Sequence, residues 1–524
     1  MRTADRQIFR IAPALLVLAI ALLQPAPEAV ADVSVQDKEV LAAVDKVAPT
    51  VEEIAKKLWE LSEVSLLEVK SSAYLKDLLK KNGFTITSEK AAGVPTSFVA
   101  EFGKGEPELG ILLEYDALPD LGNEPVAKKE PRKDGVTSGH GCGHNLIGAG
   151  AMGAALAIKQ LMEEKKIPGT LRVYGAAAEE SEGAKVFMAR EGLFDDLDAM
   201  LHWHPMDGAR VGKVRMAAAQ HMYIEFNGKK AHAGMYPWKG RSALDAAEIF
   251  LHSVNMMREH VEPTARIHYI IKEGGQAVNV VPDHAVVLLT YRDLDRERVE
   301  KGVVWIKDMA KGAALATQTE TLAVDYFGLH DLLPNTPLAD RMQKHFKTVG
   351  LPEYTSKEQA FATKLQEAAG LKPVGMTKQI EPIPDEPTRG GFSDVGDVSY
   401  ITPTMGVVVP SLPQGIPLHT WMATASNGTS IGFKGAVTAS KVLALTGIDL
   451  LTDAELRKQA KADFDKRTEG YTYKSPIPDI IKEPAGLPDD MRSYGTRSQL
   501  KATILKGEGD DSFGPHSHGH SHNY

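Results

Sequence analysis

Cys142 and His144 lie two residues apart in the segment Gly139-His-Gly-Cys-Gly-His-Asn145, and both side chains can bind a transition metal. Glycines separate them, so the backbone can turn tightly and bring the thiolate and the imidazole toward one point. Cys142 is the only cysteine of the 524-residue chain. A buried cysteine beside a glycine-rich turn has an ordinary packing explanation as well. This pair alone therefore leaves metal binding and simple packing open.

Five further residues could join this pair. Asp116, the Glu179-Glu180 pair and His204 each lie at or just past the end of a predicted strand, and His419 lies shortly after another. Each has an ordinary alternative, such as a turn cap, an acidic helix N-terminus or a loop histidine. In an open α/β sheet, however, ligands bind at the carboxyl ends of the strands. The shared position therefore favours one site over several unrelated roles.

The sequence pattern predicts the elements that must position these residues. A helix is predicted over residues 35–61, with a kink or a break at Pro49. Strands and helices alternate from 32 to 213 and again from 329 to 475. Between them, over 214–328, the order is β-α-β-β-α-β, which is the ferredoxin-like plan. We predict an α/β fold in which a mixed central sheet covered by helices forms the catalytic domain. The insertion would be a ferredoxin-like α+β lid or dimerisation domain.

The N-terminus has the features of a secretory signal peptide over residues 1–31. Three arginines precede an apolar run, 11–23, and the small-x-small site Ala29-Val-Ala31 follows it. We therefore expect an exported protein, periplasmic or secreted, with no membrane attachment after cleavage. A single cysteine excludes an internal disulfide, and a metal would protect the Cys142 thiolate in an oxidising compartment. Export thus strengthens the metal-ligand interpretation of Cys142.

The net charge and the composition of the C-terminal extension limit which partners the chain can bind. The net charge of -9 is mild, and no basic run indicates a nucleic-acid partner. The C-terminal extension, 476–524, is rich in proline, glycine and charge, and its last residues contain four alternating histidines. We expect this extension to be disordered and to bind metal loosely, while a retained expression tag is the plainer alternative.

Six segments occur in the order seen in the amidohydrolase branch of the dinuclear aminoacylase/carboxypeptidase metallohydrolases. They are Glu114–Pro119, Gly139–Asn145, Ala178–Glu180, Gly228–Ala233, Gly275–Pro282 and His419. The chain resembles this family from about residue 35 to about residue 473, and within the branch it is most similar to the aminobenzoyl-glutamate hydrolases. Two departures stand out. Glu114-Tyr-Asp116 replaces the His-x-Asp of many relatives, and Asn145 replaces an aspartate common in the auxin-conjugate hydrolases.

The resemblance implies two divalent metal ions per subunit, Zn²⁺ or Mn²⁺. Their ligands would be Cys142, His144, Glu180, His204 and His419. The resemblance makes Glu179 the general base, and Asp116 would orient a ligand by a hydrogen bond. The implied reaction is hydrolysis of the amide bond of an N-acyl, aminobenzoyl or aminoacyl amino acid, or of a dipeptide, by a metal-activated water.

The resemblance also implies a homodimer in which His232 of the inserted domain stabilises the tetrahedral oxyanion in the partner's site. Candidates for substrate binding are Asn279, Arg292, Ser393 and Asp394. A surface ion pair explains Arg292 equally well.

Two other functions remain as alternatives. One is a secreted zinc-binding or zinc-storage protein derived from a hydrolase, which would have no use for Glu179. The other is a cysteine hydrolase with Cys142 as nucleophile and His144 as base, for which no third group that orients the histidine is evident.

Overall fold

The structure is a computed structural model, and it describes residues 34–389, 391–479, 481 and 484. The predicted signal peptide, the histidine tail and most of the C-terminal extension lie outside these residues. The helices are α1 Val35–Leu61, α2 Val69–Lys81, α3 His144–Lys165, α4 Ala184–Arg190, α5 Ala243–Met257, α6 Arg296–Thr317, α7 Thr336–Val349, α8 Ser356–Ala368, α9 Val395–Ser399, α10 Trp421–Asn427, α11 Ser430–Thr452 and α12 Ala454–Arg467. The strands are β1 Thr85–Ser88, β2 Phe98–Lys104, β3 Glu108–Leu113, β4 Gly169–Gly175, β5 Ala199–Met206, β6 Arg210–Val211, β7 Arg215–Met216, β8 Ala218–Asn227, β9 Arg266–Glu273, β10 His284–Asp293, β11 Glu320–Leu329, β12 Thr388–Arg389 and β13 Thr404–Pro410.

The larger sheet has seven strands in the order β1-β2-β4-β3-β5-β13-β6. Its central strands β4, β3, β5 and β13 are parallel neighbours, whereas β1, β2 and β6 pair antiparallel. Helices α1, α3 and α11 pack against one another in the main hydrophobic core. The predicted mixed α/β fold is confirmed, and the parallel strands present their carboxyl ends along one edge of the sheet.

The smaller sheet has the order β11-β8-β10-β9 and is antiparallel throughout. Helices α5 and α6 pack on it and enclose a second hydrophobic core. The element order is β-α-β-β-α-β, as the ferredoxin-like prediction requires. The strands of this sheet run from residue 218 to residue 329, and the domain boundaries at 214 and 328 stay a prediction.

Helix α3 brings the metal-binding segment into the centre of the larger domain. It begins at His144 and is buried over most of its length. Small residues allow this depth, because a Cβ at Gly153 would lie 2.4 Å from a methyl group of Val51 and 2.5 Å from Oγ of Ser440. The neighbouring α1 continues through Pro49 as one helix, so the break considered there does not occur. Its buried apolar face against α3 outweighs the hydrogen bond that proline removes.

Helix α11 is the one described helix that is long and apolar enough to span a membrane by length and composition alone. Most of it is buried inside the protein against α1 and α3. This burial accounts for its apolar sequence as that of a core helix.

Candidate metal centre

Apart from Cys142 and His144, which lie at the start of α3, the candidate site residues follow or lie at the carboxyl ends of neighbouring parallel strands. β3 leads into the segment with Asp116, and β4 leads into the turn that holds Glu179 and Glu180. β5 carries His204 near its end, and β13 precedes the loop with His419. Because these four strands are parallel neighbours, their ends meet at one edge of the sheet.

All five predicted metal ligands converge at this edge. Sγ of Cys142 lies 3.4 Å from Nε2 of His204, and Nε2 of His419 lies 3.3 Å from Oε2 of Glu180. The ligand atoms lie within 4.8 Å of one another in two groups of three, which are Cys142, His144 and His204, and Cys142, Glu180 and His419. Cys142 belongs to both groups, so its sulfur lies where two metal positions would share a ligand.

Hydrogen bonds orient the histidines toward this locus. Nδ1 of His144 lies 2.8 Å from Oδ1 of Asp116, and Nδ1 of His204 donates to the carbonyl oxygen of Pro205 at 2.9 Å. In each case the bond at Nδ1 leaves Nε2 for a metal. The other carboxylate oxygen of Asp116 accepts the backbone N–H of Glu180 at 3.0 Å. Asp116 thus binds the imidazole ring of His144 with one carboxylate oxygen and the backbone of Glu180 with the other.

Two polar atoms at the locus are buried and make no hydrogen bond with any described residue. They are Nε2 of His144 and Oε1 of Glu180, which lie 4.0 Å apart. Buried polar atoms without a partner are rare in proteins, and a bound ion is one of the explanations. A thiolate, imidazole nitrogens and a carboxylate suit Zn²⁺ best and can also hold Mn²⁺. The residues present therefore fit a divalent metal.

The ionisation of Cys142 argues against a nucleophilic role. Burial, and then the negative charge of Glu180, raise the pKa of the Cys142 thiol. A nucleophilic cysteine needs a lowered pKa, whereas a metal ligand obtains its negative charge from the cation that it binds. Burial also lowers the pKa of His204 to about 4, which keeps its imidazole neutral, as a metal ligand must be. The cysteine hydrolase alternative is thereby disfavoured.

Glu179 lies beside the ligands without belonging to either group of three. Its Oε2 is 3.8 Å from Nε2 of His144. Burial, and then the negative charges of Glu114 and Asp394, raise the pKa of Glu179 well above its usual value. A raised pKa makes the ionised carboxylate a stronger proton acceptor than an ordinary glutamate, which suits a general base.

His419 closes the outer side of the locus from a strained loop. Its φ of +59° lies in the left-handed region, which residues with a Cβ seldom adopt. Its backbone N–H donates to the carbonyl oxygen of Gly141 at 2.9 Å, which ties this loop to the Cys142 segment. The side chain of His419 is 54% exposed, so substrate and solvent can reach the locus from this side.

A buried lysine lies beneath the metal ligands, where the sequence pattern had not predicted one. Lys185 is fully buried in α4, and its Nζ lies 2.8 Å from Oε1 of Glu114 and 2.5 Å from Oδ1 of Asp394. Oε2 of Glu114 in turn lies 3.5 Å from Nε2 of His144. A lysine within the short apolar stretch Ala184–Ala189 was the signal that could have found it. Because Asp394 is 1% exposed and bonded to Lys185, we assign it to this network rather than to substrate contact.

The other residues predicted to act on substrate lie on or against the inserted domain. His232 is exposed, and its Nδ1 accepts the N–H groups of Gly234 and Met235, both at 3.2 Å. Exposed Asn279 is next to it, since its carbonyl oxygen accepts the N–H of Ala233. Each of these contacts of His232 and Asn279 is with another residue of the inserted domain.

Arg292 and Ser393 lie where the two domains meet. The guanidinium of Arg292 stacks over the ring of Phe392, 4.4 Å from its centroid. Oγ of Ser393, the next residue along, accepts the N–H of Val395. A cation and a hydroxyl are therefore carried by facing surfaces of the inserted and catalytic domains.

Comparisons with known proteins identify the family and the relatives that this chain resembles. Residues 111–386 match peptidase family M20/M25/M40. The chain is 33% identical to one of the subunits of p-aminobenzoyl-glutamate hydrolase of Escherichia coli K12, over 81% of this chain and 94% of that protein. It is 25% identical to mouse Xaa-Arg dipeptidase over 84% of this chain and 95% of that protein. A crystal structure described as a dinuclear metal-binding peptidase of the M20 family, from Bacillus subtilis, superposes with a TM-score of 0.53 at 16% identity, over 78% of this chain and 99% of that one. The resemblance carried by the six sequence segments, including the likeness to the aminobenzoyl-glutamate hydrolases, is confirmed.

The buried lysine network gives a stability prediction. Lys185→Met should lower the free energy of unfolding by about 3–5 kcal/mol, because it leaves the carboxylates of Glu114 and Asp394 buried without their cation. The matched control is Lys301→Met, which breaks an exposed pair with Glu297 and should leave the free energy of unfolding nearly unchanged. Urea denaturation with excess chelator measures both without a metal contribution. Equal stability of the two variants would refute the importance of the buried pairs.

Proposed function

The chain belongs to peptidase family M20/M25/M40, and we propose that it hydrolyses the amide bond of N-acyl amino acids, with aminobenzoyl-glutamate as the first substrate to test. The observation that carries this proposal is the position of Glu179. It lies 3.8 Å from Nε2 of His144, beside converging ligands to which it does not belong. A protein that only stores metal needs the ligands but has no use for a base beside them.

We assign two divalent metal ions to the locus, held by Cys142, His144, Glu180, His204 and His419. Zn²⁺ suits this donor set best, and Mn²⁺ is the second candidate. When bound, the ions supply Lewis-acid catalysis and a water whose pKa falls toward ~7.

The reaction also needs a group that moves a proton, and we assign this role to Glu179. It takes a proton from the attacking water and delivers it to the leaving amine. Asp116 fixes the ring of His144 and the backbone of Glu180, so that both ligands keep their direction during turnover.

The proposed substrate class carries a free carboxylate beside the amide bond. We assign its recognition to Arg292, because a planar guanidinium binds a carboxylate through two parallel hydrogen bonds. Its stacking on Phe392 fixes the plane of the fork at the boundary between the two domains. Ser393 and Asn279 are the further candidates for polar contacts to the substrate.

We also propose a homodimer in which the partner subunit supplies His232 to the site. Large apolar side chains are exposed on α5 and on β9 of the inserted domain, namely Ile249, Met256, Ile270 and Ile271. β9 is the edge strand of its sheet, and an exposed apolar edge strand readily pairs with another chain. A dimer through these elements would cover the exposed apolar surface and give the exposed His232 a role in the partner's site.

Export to the periplasm or the medium completes the proposal. It is supported by the arginines, the apolar run and the small-x-small site within residues 1–31. An oxidising compartment would make the lone thiol of Cys142 vulnerable, and bound metal protects it.

A substrate screen tests the proposed activity. Purified protein loaded with Zn²⁺ or Mn²⁺ is incubated with aminobenzoyl-glutamate, other N-acyl amino acids and dipeptides, and the released amine is measured. We expect hydrolysis of at least one class, loss of activity with a chelator, recovery on re-addition of metal, and close to two bound ions per chain. A loaded protein that hydrolyses none of these amides would favour the storage alternative.

Exchanges at the two adjacent glutamates separate base from ligand. Glu179→Gln preserves shape but cannot accept the proton, so turnover should fall by ~10²-fold or more while metal stays bound. Glu180→Ala should instead lose metal. The control is Glu182→Gln, the same change in the same turn, which should turn over near the wild-type rate. Turnover and metal content are measured on each variant, and near-normal turnover of Glu179→Gln would exclude the general-base role.

Subunit mixing tests the role of His232. His232→Ala and Glu179→Gln homodimers should each be nearly inactive, with metal content and folding unchanged for His232→Ala. A hybrid dimer contains one site with both residues intact, so activity should reappear after subunit exchange. Persistent inactivity, with exchange demonstrated by mass spectrometry, would rule out the arrangement in which the partner supplies His232.

A further inference from the structure

We propose that Glu68, in the loop between α1 and α2, is a positioning residue that holds the backbone turn carrying Glu179. This inference rests on the proposed function of Glu179 as general base. Glu68 is fully buried, and its two carboxylate oxygens are used differently. Oε1 accepts the backbone N–H of Ala178 at 2.9 Å, and Oε2 accepts the hydroxyl of Thr96 at 2.7 Å.

The turn needs such support because its backbone is strained. Ala178 immediately precedes Glu179, and its φ of +56° lies in the left-handed region, which is unfavourable for a residue with a Cβ. In this conformation its carbonyl oxygen accepts the N–H of Gly183 at 2.7 Å, which closes the turn around the two glutamates. The N–H of Ala178 has Glu68 as its acceptor. A change at Glu68 therefore acts on the residue whose torsion angles aim Glu179.

Separate acceptors hold the N–H groups on either side of Ala178. Ser97 Oγ accepts the N–H of Ala177 at 3.0 Å, and Asp116 Oδ2 accepts the N–H of Glu180 at 3.0 Å. The metal ligand Glu180 thus keeps its own anchor when Glu68 is changed. Loss of Glu68 should consequently displace the base more than the ligand.

The same loop contains a matched control. Glu63 also accepts backbone N–H groups and a hydroxyl, but from Lys70 and Ser71 at the start of α2. Glu63→Ala therefore removes bonds of the same kind from the same loop without touching the turn at Ala178. If Glu68 contributed only to general stability, the two alanine variants would affect turnover alike.

The kinetic test compares Glu68→Ala, Glu68→Gln and Glu63→Ala in the metal-loaded protein. We expect Glu68→Ala to lower kcat by about 10- to 100-fold, since a shift of about 1 Å at a reacting group has effects of this size. KM and metal content should stay near wild type. Glu68→Gln should recover most of the lost kcat, because its amide oxygen can still accept the N–H of Ala178 and its NH₂ can donate to Thr96. Unchanged kcat in Glu68→Ala, or an equal loss in Glu63→Ala, would overturn the proposal.

Hydrogen exchange read by mass spectrometry tests the positioning without any substrate. Peptides covering 176–183 should exchange about tenfold faster or more in Glu68→Ala and at the wild-type rate in Glu63→Ala, whereas peptides covering 69–73 should show the reverse. If Glu68→Ala fails to fold, Glu68→Asp withdraws the carboxylate by one methylene and should give the same pattern more weakly. Wild-type protection of residues 176–183 in both Glu68→Ala and Glu68→Asp refutes the proposal. A wild-type protein that hydrolyses no amide but shows the expected exchange pattern contradicts the function of Glu179 instead.

Discussion

Burial of negative charge is the constraint on which this site depends. Glu114, Asp116, Glu179, Glu180 and Asp394 lie at one edge of the sheet, and each is at least mostly buried. A carboxylate removed from water costs several kcal/mol unless a cation or hydrogen-bond donors compensate it. Lys185 compensates Glu114 and Asp394 from below, and the hydrogen bonds to Asp116 compensate that group directly. The negative charge near Cys142 and Glu180 is not compensated by Lys185 or by the bonds to Asp116. Bound metal cations would compensate it, so an arrangement that is costly for the metal-free protein suits a metal centre.

The backbone at the site follows from the same constraint. Ala178 and His419 both have φ values near +60°, and each such residue costs about 1–2 kcal/mol. Burial, and then the negative charge of Asp116, raise the pKa of Glu68 to about 8, so at neutral pH its acceptor oxygen is mostly uncharged. The bond from the N–H of Ala178 then contributes about 0.5–1.5 kcal/mol, which offsets part of the strain at Ala178. The buried acids therefore act on the backbone as well as on the metal locus. They hold the strand ends in the conformations that orient the proposed metal ligands and the proposed base.

The sequence predicted whatever depends on local patterns and short motifs. Three features could be predicted because each is encoded within a few tens of residues: the strand ends, the glycine-separated Cys142 and His144, and the order of the inserted elements. Lys185 and Glu68 were not found, since their significance depends on partners distant in sequence. Lys185 meets Asp394 across 209 residues, and Glu68 meets Ala178 across 110. In the sequence both look like ordinary charged residues of a helix and a loop, and only the fold reveals that they are buried.

A chain of contacts connects the inserted domain to the chemistry at the sheet edge. Arg292, on β10 of the inserted domain, stacks on Phe392 of the catalytic domain. Two residues further along, Asp394 is anchored to Lys185 beneath the metal ligands, and Lys185 also binds Glu114. The loop 391–394 is thus fixed at one end by the buried charges and presents its other end to the residue proposed to bind the substrate carboxylate. If the inserted domain moves, Arg292 therefore moves relative to a loop that the ion pair of Asp394 with Lys185 holds in place. Under the proposed roles, the residue that binds the substrate carboxylate is connected to the buried charges of the site through the short loop 391–394 and its direct contacts.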